Sequence, residues 1–133
     1  MGSGSPGGDD EQPKRVLIAD DDESTRILLA EALADETGVE LVASAKDAEE
    51  AVVLVGEVEP DVAILDWSMP GGGGGGAAEE IRARHPDVAI IALTGMDPAE
   101  ASYAMMSAGA VCFLQKGCTT EELLEAIRIA TRW

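Results

Sequence analysis

VAILDWSMP, residues 62–70, opens on four apolar residues in a row and turns abruptly polar at Asp66. So short an unbroken aliphatic run suits a strand covered by helices on both faces of a parallel sheet. Moving outward, VLIA (residues 16–19) and VAIIAL (88–93) repeat the pattern, while residues 41–43 and 111–114 (VCFL) are briefer versions of it.

Amphipathic segments lie between these runs. Ala48, Ala51, Val52 and Val55 follow a helical i, i+3, i+4, i+7 spacing, with Glu49, Glu50 and Glu57 left to face solvent. Asp97-Pro98-Ala99-Glu100 supplies an N-cap, a proline at the first helical position and an early acid. Thr119 and Glu122 have capping-box spacing ahead of a last helix through Leu123, Leu124, Ile127 and Ile129 to the chain end. Five strands alternating with five helices predict an open α/β sandwich of about this length, the flavodoxin-like (βα)5 fold with parallel strand order 2-1-3-4-5.

The chain has 133 residues, enough for one domain, and few aromatics, so its core must be aliphatic. Residues 1–13 are Gly, Ser, Pro and acid with almost nothing to bury; they predict a disordered tail, part of it an expression scar, ahead of a domain spanning 14–133. The net charge of −17 repels phosphate backbones and anionic lipid, so direct binding to nucleic acid or membrane is not expected. No apolar run is long enough to span a bilayer, no signal peptide opens the chain, and Cys112 and Cys118 form neither a zinc pattern nor a disulfide framework. A reducing cytoplasm is the expected setting, with Cys112 a core thiol.

In such a sheet, ligands bind beyond the carboxyl ends of the central strands. There VLIA is followed by Asp20, Asp21 and Asp22, VAIL by Asp66, VAIIAL by Thr94, and VCFLQ by Lys116. Carboxylates sharing a small site repel one another unless a cation intervenes, and hard oxygen ligands suit Mg2+. With an ammonium and a hydroxyl added, the set could hold a tetrahedral dianion, one carboxylate acting as nucleophile. Each residue also has a plain alternative. Asp22 would serve as a helix N-cap, Asp66 as a turn former before Pro70, Thr94 as a loop cap and Lys116 as a solvated charge. Those alternatives do not explain why all of these residue types follow strand ends of a single sheet.

These segments resemble the receiver domains of bacterial response regulators, over roughly residues 14–132. VLIADDDESTR is similar to the first strand with its acidic pair, VAILDWSMPG to the phosphorylation strand, IIALTG to the strand carrying the Thr, SAGAVCFLQKG to the Lys segment, and TTEELLEAI to the final helix. The resemblance implies that Asp66 is the phosphoacceptor, Asp21 a direct ligand of Mg2+, and Asp20 a ligand acting through water. It places a metal-binding backbone carbonyl at Ser68 and the switch hydroxyl at Thr94, with Gly95 leaving space beside it. Lys116 becomes the partner of the phosphoryl oxygens and Phe113 the aromatic switch. The implied donor is a sensor histidine kinase or histidine phosphotransfer protein, small acyl phosphates can substitute, and the implied reader is an output domain or partner protein. Such a domain assists its own phosphotransfer without being an enzyme in the ordinary sense.

Two departures stand out. Many relatives have proline after the lysine; here it is Gly117, the form similar to a branch often joined to helix-turn-helix output domains. The glycine run 71–76 lacks the hydrophobic anchor that relatives often carry, and is expected to be a loop, either an access gate or a tolerated surface segment. His85, before Pro86, is expected at the surface. A haloacid-dehalogenase-type phosphatase would need an acid where Ser68 stands, and a flavin carrier a Ser/Thr-rich phosphate loop after the first strand. A phosphorylation-independent binding module would usually lose part of the acidic pair, the acceptor or the lysine, all of which are present.

Overall fold

The computed structural model describes residues 12–69, 73–95 and 98–131. Strands β1 (Lys14–Ala19), β2 (Val39–Ala45), β3 (Val62–Asp66), β4 (Ala89–Thr94) and β5 (Cys112–Gln115) alternate with helices α1 (Glu23–Ala34), α2 (Ala48–Val58), α3 (Gly73–Arg84), α4 (Pro98–Ser107) and α5 (Thr120–Thr131). The strands form one sheet of order β2-β1-β3-β4-β5, parallel at every pairing. The expected fold and strand order are both found.

The apolar runs work because strand side chains alternate faces. Leu17, Ala19, Ala63, Leu65, Ile90 and Ala92 point to one side, where Ala51 and Val55 of α2, Ala77, Ala78 and Ile81 of α3, and Met105 of α4 meet them. Val16, Ile18, Val62, Ile64, Ile91 and Leu93 point to the other, against Leu29 and Leu33 of α1 and Leu123, Ala126 and Ile127 of α5. With both faces covered, a polar residue in the middle of these strands would lose its water, which is why none is found there. The first polar positions come at the carboxyl edge.

Caps set where several helices begin. Asp22 accepts from Ser24 N at 3.3 Å and from Thr25 Oγ1 at 2.7 Å, and so is the N-cap of α1. Thr119 and Glu122 form the predicted reciprocal box, at 2.8 and 3.0 Å. A second reciprocal arrangement opens α2, where Glu50 N donates to Asp47 Oδ1 and Lys46 N to Glu50 Oε1, both at 2.8 Å. The predicted Asp97 cap lies outside the described residues.

The glycine run departs from expectation. Gly73–Gly76 are the first turn of α3 and not loop; Gly71 and Gly72 lie outside the described residues. A Cβ on Gly74 would stand 2.6 Å from Asp66 O and 2.9 Å from both Cα and Cε3 of Trp67. Only a residue without a side chain lets α3 approach this closely. The Trp67 indole also lies within 3.5 Å of a Cβ built on Gly75, and it packs, partly buried, against the core layer of α2 and α3.

Candidate functional site

The carboxyl ends of β1, β3, β4 and β5 bring the predicted residues together. Asp20 follows β1 and is fully buried: its N–H donates to Ala45 O at 3.0 Å, and its Oδ1 accepts from Asp22 N at 2.9 Å. Asp66 ends β3 and is likewise 0% exposed; its Oδ1 accepts from Ser68 N at 3.2 Å and Ser68 Oγ at 3.3 Å. Asp21 is exposed, yet one carboxylate oxygen from each of Asp20, Asp21 and Asp66 falls within 4.8 Å of the others.

Lys116 closes the group. Its Nζ lies 3.0 Å from Asp20 Oδ2 and 3.2 Å from Asp66 Oδ2. Both contacts are ion pairs within hydrogen-bonding distance, so one ammonium is shared between two buried carboxylates. The backbone helps to place the lysine, since Lys116 N donates to Thr94 O at 2.7 Å. Thr94 itself is buried at the end of β4, beside Gln115 in the register. Gly117 follows with φ +91, a left-handed conformation that disfavours a side chain.

Electrostatics follow from this geometry. Burial raises the Asp20 carboxyl above its ordinary range; the Asp22 N–H and Lys116 oppose the rise, and the Asp66 charge adds to it. Burial works to lower Lys116, but the two carboxylates outweigh it and hold the ammonium above its usual value. At an effective dielectric of about 20, each pair of carboxylates this close repels by roughly 3–4 kcal/mol. Three carboxylates and one ammonium, all ionised, leave two negative charges. The residues therefore fit a divalent cation: three carboxylates with an oxygen each within 4.8 Å of the others, and a net charge of the right size.

Phe113 lies on β5 beside Ala92, half-buried and packed against the core layer that includes Met105 of α4. Ser68 and Gly95 are exposed at the same edge. His85 is half-buried at the opposite end of the sheet, its ring 3.7 Å from a Cβ built on Gly56, so it is less exposed than expected. Cys112 and Cys118 are free thiols partly buried against the α1–α5 layer. One contact went unforeseen: Arg26 Nη1 donates to Asp20 O at 2.7 Å. No sequence signal marks it, because the guanidinium reaches back past the helix start to a main-chain oxygen.

The sheet order and an acidic cluster at its carboxyl edge define a receiver-type α/β domain. A family model of the response regulator receiver domain matches residues 16–128, and the chain belongs to that family. Response regulator GacA of Pseudomonas viridiflava is 34% identical over 115 residues, 86% of this chain and 54% of that protein. Transcriptional regulatory protein LiaR of Bacillus subtilis is 36% identical over 118 residues, 89% of this chain and 56% of that protein. The chain thus spans about half the length of these curated relatives. The response regulator domain of Thermotoga maritima CheB superposes with a TM-score of 0.84 at 29% identity, covering 92% of this chain and 98% of that one. This is a receiver domain of a two-component response regulator, a signalling domain rather than a classical enzyme, and its Asp20/Asp21/Asp66 cluster fits a phosphorylation site. Among the described residues, no helix is long and apolar enough to cross a membrane.

Proposed function

We propose that the domain accepts a phosphoryl group from a phosphohistidine onto Asp66 in the presence of Mg2+, and that the resulting acyl phosphate shifts it to a second shape read by an output partner. The observation that carries this reading is the convergence of Asp20, Asp21 and Asp66 within 4.8 Å, with Lys116 paired to the buried Asp20 and Asp66 carboxylates. One ammonium balances only one of the three carboxylates, and a purely structural cluster would not be expected to gather that excess of negative charge.

Ser68 holds one oxygen of Asp66 and so orients the carboxylate. In the transfer, an Asp66 oxygen bonds to phosphorus as the bond from phosphorus to the donor imidazole nitrogen breaks. The imidazole keeps that electron pair and takes up a proton. Bound Mg2+ supplies positive charge against the phosphoryl oxygens. Asp20, Asp21, Asp66 and the Ser68 carbonyl would hold it, and Lys116 would meet the phosphoryl oxygens as a fixed cation. Thr94 then closes on the phosphoryl group and Phe113 turns inward.

The output surface follows from this route. Tyr103 is 84% exposed on α4, Met106 is exposed on the same helix, and Val111 is exposed just ahead of β5. These exposed apolar residues belong to α4 and the entry to β5, the strand that carries Phe113, and they support readout by a protein partner, in a two-state population shift. The donor would be a cytoplasmic sensor histidine kinase or histidine phosphotransfer protein. Likeness to the transcriptional regulatory protein LiaR supports an output in transcription control, carried by another domain or partner, because the −17 charge disfavours direct DNA contact. Residues 14–133 would form the receiver unit, preceded by the tail 1–13.

Intact-mass analysis after incubation with acetyl phosphate and Mg2+ tests the reading. One added phosphoryl group is expected on the wild type and none on Asp66→Asn. A wild type that takes no adduct from any phosphodonor would instead be a phosphorylation-independent binding module.

A further inference from the structure

A cation in the first turn of a helix opposes the helix macrodipole, so its presence calls for a local reason. Arg26 stands there in α1, its own N–H closing the turn onto Asp22 O at 3.1 Å. Its side chain does not run out into solvent. It folds back beyond the helix start and donates to the Asp20 carbonyl at 2.7 Å, in a part-buried contact.

That bond completes the fixing of Asp20. The N–H is held by Ala45 O, Oδ1 by Asp22 N, Oδ2 by the charge of Lys116, and the carbonyl by Arg26. The Asp20 carbonyl belongs to the peptide that joins Asp20 to Asp21, so its direction sets where Asp21 leaves the chain. Asp21 makes no hydrogen bond to any described residue and is exposed, yet its carboxylate reaches the cluster. Its aim therefore depends on that peptide plane.

We infer that Arg26 is a positioning residue for the cation site, locking the Asp20–Asp21 peptide so that both carboxylates face the same ion; this rests on the receiver reading above. The sign of its effect separates this role from simple electrostatics. A positive charge next to a cation site weakens binding by Coulomb repulsion, so removing it should tighten Mg2+. Loss of a group that orients the ligands should weaken Mg2+ instead, by about tenfold.

The experiment is calorimetric titration of Mg2+ into metal-free wild type, Arg26→Met and Arg26→Lys, with melting temperature and acetyl phosphate labelling measured on each. Arg26→Met is expected to bind Mg2+ about tenfold more weakly, and Arg26→Lys, which keeps the charge and a donor, to recover part of the loss. Unchanged or tighter binding in Arg26→Met overturns the inference, as does a lysine variant that recovers nothing. If Arg26→Met does not fold, Arg26→Gln, too short to make the same reach, decides by the same criterion. A wild type that binds no Mg2+ and takes no phosphoryl group overturns the receiver reading along with this one. A wild type that does both, beside a variant of equal affinity, overturns this one alone.

Discussion

Gly74 packs directly on the backbone of Trp67, the residue that follows Asp66, with room for a hydrogen but not for a methyl group. The first turn of α3 is thus seated on the main chain of the candidate acceptor, with no side chain between them. Gly74→Ala would have to push α3 or the Asp66–Trp67 backbone aside, at a cost of about 1–3 kcal/mol. Gly76 has nothing within 4 Å of a built Cβ, so Gly76→Ala should stabilise by roughly 0.5–1 kcal/mol through helix propensity. Urea unfolding of the two variants checks both signs. Equal effects would mean that the run is interchangeable loop-like sequence after all.

Asp66 and Asp20 face the same ammonium, and the metal-free protein carries their mutual repulsion. Asp66→Asn is nearly isosteric and removes one charge, so the metal-free melting temperature should rise, equivalent to about 1–3 kcal/mol. The same change should shrink the rise in melting temperature that millimolar Mg2+ gives the wild type. Thermal melts of both proteins, with Mg2+ or with chelator, provide the comparison. A variant less stable than wild type in chelator would show that repulsion is not what Asp66 contributes.

The thiols carry a pH prediction. Burial raises Cys112, and burial together with the Glu122 charge raises Cys118. The thiolate is the reactive form, so near neutral pH both should alkylate with iodoacetamide more slowly in the native protein than in urea. Labelling should accelerate as pH rises into the alkaline range. Because the folded thiols keep their protons to higher pH than the unfolded ones, the stability that they contribute declines as pH rises through that range. Timed alkylation with peptide mapping resolves each thiol. Fast native labelling of Cys118 at neutral pH would contradict its burial.

How much of this was legible in the sequence depended on whether a residue's role was written in its local pattern. The central strands were visible because both of their faces are covered, which leaves only apolar letters. The edge strand β2 runs from Val39 to Ala45, longer than the three residues expected, since solvent admits Glu40 and Ser44 and breaks the apolar run. Asp20, Asp66, Thr94 and Lys116 could be read from strand ends because parallel topology alone gathers them at one edge. The start of α3 could not, as glycine is the weakest helix former after proline and its reason lies in Trp67, outside the run. Arg26 was equally hidden: a side chain bonded to a main-chain oxygen leaves no partner residue type to look for.

The lifetime of the phosphorylated state turns on the residues that flank Asp66. Hydrolysis needs a water aligned behind the phosphorus, and a side chain must orient it. By resemblance the two relevant positions are Ser68 and Met96, the latter outside the described residues. The Ser68 hydroxyl is turned onto Asp66 Oδ1 at 3.3 Å, and it is too short to reach a water on the far side of a phosphoryl group. Methionine offers no useful hydrogen bond. Slow self-hydrolysis is therefore expected, with resetting left to a partner phosphatase or to back-transfer. Met96→Glu and Ser68→Asn each introduce a group able to hold the attacking water, and each should shorten the lifetime by about tenfold or more. Decay of the phosphorylated protein in Mg2+, followed by intact mass, gives the rates. Wild-type decay within seconds, or two variants no faster than wild type, would mean that water reaches phosphorus without help from either position.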